Sequence, residues 1–304
     1  MITAQLWSEG LARLGEGPRL LPAAGSLEPP GSHQSAALHW VDLLSGTVHT
    51  RGHAGDSAVV ASYPGETVSA LIPLGDGTLA VALRRRLAIA DRRGDVLTTL
   101  DPRLAPGLRF SDGTAGPSGH LWLGTVPDPD QTAGALGGLL RIGPDGVHTA
   151  RDGVGFANGV GFSADGSWLF HVDSVARTIE RIAHDPTTGE LGESRLLFRL
   201  PTGPAELDGL AVDEYDRLWV AVFGGGQVLC IPTDGARAGE VVDHVAVPAR
   251  RVTSCAFAGS TLHITTARVD ASVDELSLEP LAGSVFAASC GCAGGPTWEG
   301  KPLL

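Results

Sequence analysis

Six short apolar strands, each announced by a turn signal, recur along the chain at intervals of roughly 40 to 50 residues. They are LHWVD from Leu38, TLAVAL from Thr78, HLWLGTV from His120, SWLFHVD from Ser167, RLWVAVF from Arg217 and TLHITTA from Thr261. GDG, PSG, ADG, DEYD and AGS stand before the last five, the kind of turn that joins consecutive antiparallel strands. Further strands follow in each unit, among them GTVHTR, LAIAD, GGLLRIG, TIERIAHD, GQVLCIP and GSVFAA. No segment holds a 3.6-residue apolar period for three turns without a glycine or proline, so helices are not expected to build the core. The period is that of a four-stranded propeller blade. It predicts an all-β chain, a six-bladed β-propeller forming a single domain over residues 1–304.

Closure of such a ring needs the first and last blades to meet, because an unpaired strand edge templates aggregation. Gln5–Trp7 is therefore expected to pair near Ser284–Ala287, giving six four-stranded blades with both termini in the last one. Trp40, Trp122 and Trp219 recur at comparable points of their strands and are read as packing between blades.

The 304 residues carry a formal net charge of −12, which argues against nucleic acid or an anionic membrane surface as a partner. Four cysteines, Cys230, Cys255, Cys290 and Cys292, are too few and too unevenly placed for a disulfide framework or a zinc finger. The start, MITAQLWSEG, has neither a basic nor an apolar signal region, and no apolar run is long enough to span a bilayer. A reduced, cytoplasmic protein is expected. There is no GxSxG elbow, no Walker or dinucleotide fingerprint and no HxH or HExxH pattern. His171 reads as a satisfied core histidine.

Three stretches place an oxygen-bearing side chain at the start of a strand: Glu16 in LGEGP, Asn158 in FANGVGFSADG and Asp208 in AELDGLAVD. Each is followed by a glycine, which suits a tight turn and a side chain left in open space. Two carboxylates and an amide suit a hard divalent cation with positions left for water or substrate. Read alone, Asn-Gly and Asp-Gly are equally turn formers.

Together with RFSDG (Arg109 to Gly113), HVDS (His171 to Ser174) and TSCAFAG (Thr253 to Gly259), these stretches resemble the family of regucalcin, gluconolactonase and luciferin-regenerating enzyme. The resemblance runs from about Glu9 to Pro296 and implies that Glu16, Asn158 and Asp208 are metal ligands for one divalent ion: Ca, Zn, Mn or Mg. It also places Arg109 at a substrate-contacting position. At Ser111 the family pattern usually has asparagine; a serine is shorter and presents no amide to a polyol. Asp112 is read as structural, starting the next turn. Asp128 and Asp130 lie in the loop that the resemblance marks as a candidate for an acidic substrate contact. The stretches 22–34 and 127–136 are candidate lids.

With no nucleophile or redox motif, the expected chemistry is metal-assisted hydrolysis with Asp208 as ligand and general base, and the resemblance implies a small, sugar-type lactone as its substrate. The alternatives are a specialised-metabolism enzyme, an isomerase or other esterase, on the same metal site, or a non-catalytic calcium-binding propeller. The expected partner is a small-molecule substrate, and the expected state a monomer or weak homodimer.

Overall fold

The computed structural model describes residues 2–22, 36–52, 55, 57–129 and 136–303. The candidate lids fall largely on residues 23–35 and 130–135, and Asp130 with them, outside the described residues.

Six antiparallel sheets form the blades of a propeller. Their inner strands, which line the axis, are Gly15–Pro22, Val68–Pro73, Leu108–Ala115, Ala157–Phe162, Glu206–Val212 and Val252–Ala258 for blades 1 to 6. The six strands legible in the sequence are the second strand of each blade: Ala36–Asp42, Leu79–Leu83, Leu121–Pro127, Trp168–Asp173, Arg217–Phe223 and Thr261–Thr266. Their apolar runs have a physical cause, since neighbouring blades cover both faces of a second strand. In blade 5, Leu218, Val220 and Val222 pack toward blade 4, while Trp219 and Ala221 pack toward blade 6. Period-two alternation thus feeds two separate gaps.

Buried apolar residues gather in six clusters, one in each gap between blades. The tryptophans belong to these gaps: Trp122 between blades 3 and 4, Trp219 between 5 and 6, Trp40 between 6 and 1. The inner-to-second-strand hairpins of blades 2, 4 and 5 are closed by carboxylates that accept from the backbone two residues on. Asp76 takes the amide of Thr78 at 3.0 Å and Asp165 that of Ser167 at 2.9 Å.

The ring closes as expected. Gln5–Ser8 forms the outer strand of blade 6, with Gln5 opposite Ala287 and Leu6 opposite Phe286. The gap it closes is lined by aromatic contacts, with Trp7 6.3 Å from Trp40 and 4.6 Å from the His263 ring. Two corrections concern the termini. Ile2–Thr3 runs parallel to Asp243–Ala246, so blade 5 gains a fifth strand and the N-terminus reaches beyond the last blade. The C-terminal segment leaves blade 6 and crosses the end of the propeller that holds these hairpin turns. Gly294 donates to Gly259, Gly300 to Pro73 and Lys301 to Gly119. Trp298 packs on Phe162 at 5.7 Å. Apart from a short 3-10 turn, helix among the described residues is confined to Val273–Leu278.

Candidate functional site

Every inner strand breaks register with its second strand near its beginning, at the end of the propeller opposite the C-terminal segment. A bulge of this kind interrupts the ladder and re-aims a side chain. The skipped residues are Gly17 and Pro18, Ser69, Ser111 and Asp112, Asn158 and Gly159, Asp208 and Gly209, and Thr253. Asn158 and Asp208 therefore lie inside bulges, and Glu16 lies at the lip of one. Their glycines serve close packing. A Cβ on Gly159 would meet the Asp208 carbonyl oxygen at 2.8 Å, and one on Gly209 would meet Ser254 Oγ at 2.3 Å. Neither glycine has a positive φ, so the tight turn expected there is replaced by close approach of adjacent inner strands.

The structure brings Glu16, Asn158 and Asp208 into mutual reach. Asp208 is 6% exposed and hydrogen-bonded by the Asn158 side chain, which also donates to Ser174 Oγ at 3.3 Å. Ser174 in turn donates to the Leu207 carbonyl at 2.7 Å, tying blade 4 to blade 5 beside both candidate ligands. Ser174 is thus a positioning residue.

Asp112, read as structural from the sequence, also belongs to the site. Its charge acts on both Glu16 and Asp208 across the axis. The Asp112–Gly113 pair carries the polar-then-glycine signature of the other positions, and its place in a bulge was the missing information. Burial pushes its carboxyl up to about 6, against opposing help from a Gly113 hydrogen bond and the Arg19 charge. Arg19 reaches across from blade 1 to the Gly113 carbonyl at 3.3 Å and Thr114 Oγ1 at 3.2 Å. Burial holds Glu16 well above the usual carboxylate range, and Asp208 and Asp112 raise it further. Asp208 is likewise raised by burial first and by Asp112 second.

This arrangement fits a cation. Asp208 Oδ1 is buried and has no hydrogen-bond partner among the described residues. Three carboxylates repel one another across the axis, with Arg109 and Arg19 as the opposing charges. Among the described residues, no three His, Cys, Asp or Glu side chains converge closely enough to hold a metal on their own. The amide of Asn158 is needed as an oxygen donor to complete a set, as the Glu–Asn–Asp composition requires.

Arg109 begins the inner strand of blade 3, half-buried, and donates to the Phe110 carbonyl at 2.9 Å. Ser111 is 7% exposed and spends its hydroxyl proton on the Ala157 carbonyl at 2.6 Å, leaving only lone pairs to offer elsewhere. Asp128 is fully enclosed and gripped by Arg84 through two hydrogen bonds of 2.7 Å, so it ties blade 2 to blade 3 instead of facing a substrate. His171 is buried as expected, yet its Nε2 lacks a partner among the described residues, and burial lowers it to about 4. The cysteines gather between blades 5 and 6, where burial raises each thiol to about 11 or higher, the range of inert thiols.

A family model described as SMP-30/Gluconolactonase/LRE-like region matches residues 14–268. A 6-deoxy-6-sulfogluconolactonase of Pseudomonas putida is 34% identical over 277 residues, which is 87% of this chain and 92% of that protein. A pentonolactonase of Haloferax volcanii is 32% identical over 307 residues, 96% of each chain. Among solved structures, a regucalcin from Agrobacterium tumefaciens, described as a calcium-binding protein, superimposes with a TM-score of 0.84 at 25% identity. That likeness covers 100% of this chain and 98% of the other.

Proposed function

The chain belongs to the SMP-30/gluconolactonase/LRE-like family, and on that premise we propose that it is a lactonase, opening the cyclic ester of a small sugar acid at the bulge-borne carboxylates. The observation that carries the reading is the juxtaposition of Asp208, with its buried and unpartnered Oδ1, with Asn158, Glu16 and Asp112. The lactonases among its relatives, acting on hexonic and pentonic rings, support the substrate class.

Glu16, Asn158 and Asp208 would hold one divalent cation. When bound, such an ion supplies Lewis-acid polarisation of the ester carbonyl and offsets the carboxylate charge. Asp208 takes the proton from the attacking water. Its position favours that role, because one side chain would then serve both the ion and the water beside it. Ser174 and the Leu207 carbonyl fix the Asn158 amide, and through it the orientation of Asp208. Arg109 lies at the mouth and receives a ring hydroxyl or the developing carboxylate. Asp112, which accepts from the Gly113 amide and faces the Arg19 charge, accepts from sugar hydroxyls in the channel.

The test is enzyme-dependent hydrolysis of aldonolactones, with spontaneous opening subtracted, before and after chelation and on readdition of Ca²⁺, Mg²⁺, Mn²⁺ or Zn²⁺. Turnover that falls with chelator, returns with one ion and drops by at least about 10²-fold in Asp208→Asn supports the assignment. Wild-type rates in Asp208→Asn would refute the general-base role. A protein inert on every lactone that still binds the ion would favour the second reading, a calcium-binding propeller, to which the regucalcin likeness points.

A further inference from the structure

The end of the propeller that carries the site also carries a cavity over blade 2, with a volume of about 610 Å³. Its wall is basic. Arg84, Arg85 and Arg86 form the turn between the second and third strands of that blade, and Arg103 comes from the connection to blade 3. Glu66 and Asp101 are the acidic side chains of the same lining, so four positive charges face two negative ones on a chain of net charge −12.

Two of these arginines are structural. Arg84 is fastened to buried Asp128, and its carbonyl accepts from the Phe110 amide at 3.0 Å. Arg85 ties down the carbonyls of Leu104 and Leu108. The other two are presented. Arg86 is 52% exposed and reaches Glu66 Oε1 through one nitrogen at 2.8 Å. Arg103 is exposed, and its guanidinium has no partner among the described residues, whereas its amide is held by Asp101 at 2.8 Å.

Arg103 is also one of four non-glycine residues with positive φ among the described residues, at 55°. A left-handed arginine costs conformational energy, and such positions gather at ligand clamps. Arg103 thereby joins the lining of a concave, net-positive surface of ligand-site size. A planar guanidinium fork matches phosphate, sulfonate and carboxylate oxygens.

We propose that this cavity is a second binding site that takes a small oxyanion group, with Arg86 and Arg103 as its donors. The group belongs either to a free anion or to the charged arm of a lactone bound in the neighbouring channel. The Arg84–Phe110 hydrogen bond joins the cavity wall to the strand that carries Arg109.

The probe is inorganic phosphate, titrated calorimetrically into the intact chain at low ionic strength. Saturable binding is expected, weakened about tenfold or more in Arg103→Gly and in Arg86→Gln, the loss of one charge-assisted contact. Arg103→Gly should unfold at the wild-type temperature or above it, because glycine accepts the positive φ. A collapse of the loop would instead lower it. Binding should persist in Asp208→Asn, so failure of the hydrolytic reading leaves this test intact. A KM that rises in Arg103→Gly only for a phosphorylated or sulfonated lactone assigns the anion to the substrate. Equal kinetics on neutral and anionic lactones assign it to a free ion. Phosphate titrations that do not saturate, or that are the same in the wild type and both variants, overturn the proposal.

Discussion

Asp208→Asn should act on stability with opposite signs in the absence and presence of a divalent ion, and the two signs together test the site without any substrate. Without metal, the folded protein must keep Glu16, Asp112 and Asp208 close together and partly out of water. Asp112, pushed from 3.8 to about 6, sets the scale: at about 1.4 kcal/mol per unit, its ionised form opposes folding by about 3 kcal/mol at neutral pH. Asp208 is deeply enclosed and has one oxygen without a partner among the described residues. Replacing it with a neutral isostere should raise metal-free stability by about 1 to 3 kcal/mol, the cost of a buried charge without its partner. With metal, the wild type should gain about 2.7 kcal/mol at a hundredfold excess over Kd, and the variant little or nothing. The assay is denaturant unfolding of chelator-treated wild type and variant, each with and without Ca²⁺, Mg²⁺, Mn²⁺ and Zn²⁺. An Asp208→Asn protein less stable than wild type without metal would refute the repulsion argument. A variant with the full wild-type response to an ion would remove Asp208 from the ligand set.

Trp7→Ala should cost about 2 to 3 kcal/mol, below the value for a fully buried tryptophan because Trp7 is only half-buried. It loses contacts with Trp40, His263 and Arg51, and an unchanged denaturation midpoint would show that the seam does not depend on them. His171 is held neutral by burial, with its pKa lowered from 6.5 to about 4. The unfolded chain therefore binds the extra proton as pH falls through that window, and stability drops. Between pH 7 and 5 the wild type should lose about 2 kcal/mol through this residue, and His171→Phe should not; parallel urea midpoints of the two proteins would contradict this. Asp213, fully enclosed, accepts from Arg217 Nε at 2.7 Å, Trp219 Nε1 at 2.9 Å and two backbone amides. Asp213→Ala should cost about 3 to 5 kcal/mol by leaving those donors unmatched, and a loss under about 1 kcal/mol would show that they find other partners.

Much of the architecture was legible because it is local. Apolar second strands such as RLWVAVF and turns such as GDG at Asp76 are set by alternation and by side chains that cap their own backbone. Both signals survive in a linear string. The pairing of Gln5 with Ala287 was also legible, since an open ring would expose an edge. Glu16, Asn158 and Asp208 stood out as oxygen donors before strands, and family likeness supplied the ligand role. What the string could not reveal was direction. Asp112 and Ser111 are neighbours in RFSDG, yet the bulge that begins blade 3 turns one toward the carboxylates and the other onto Ala157. The same register break opens all six inner strands, and no local residue pattern in RFSDG announces it. The basic cavity was equally hidden, since Arg86 and Arg103 share a wall only after the outer strand of blade 2 has returned. So was the crossing of Trp298 beneath the ring: nothing in its own sequence neighbourhood specifies Phe162, which lies 136 positions earlier. Sequence by itself determined the repeat, its period and the kinds of chemistry available; tertiary packing decided which of those side chains meet, because the meeting points lie between blades and no blade contains them.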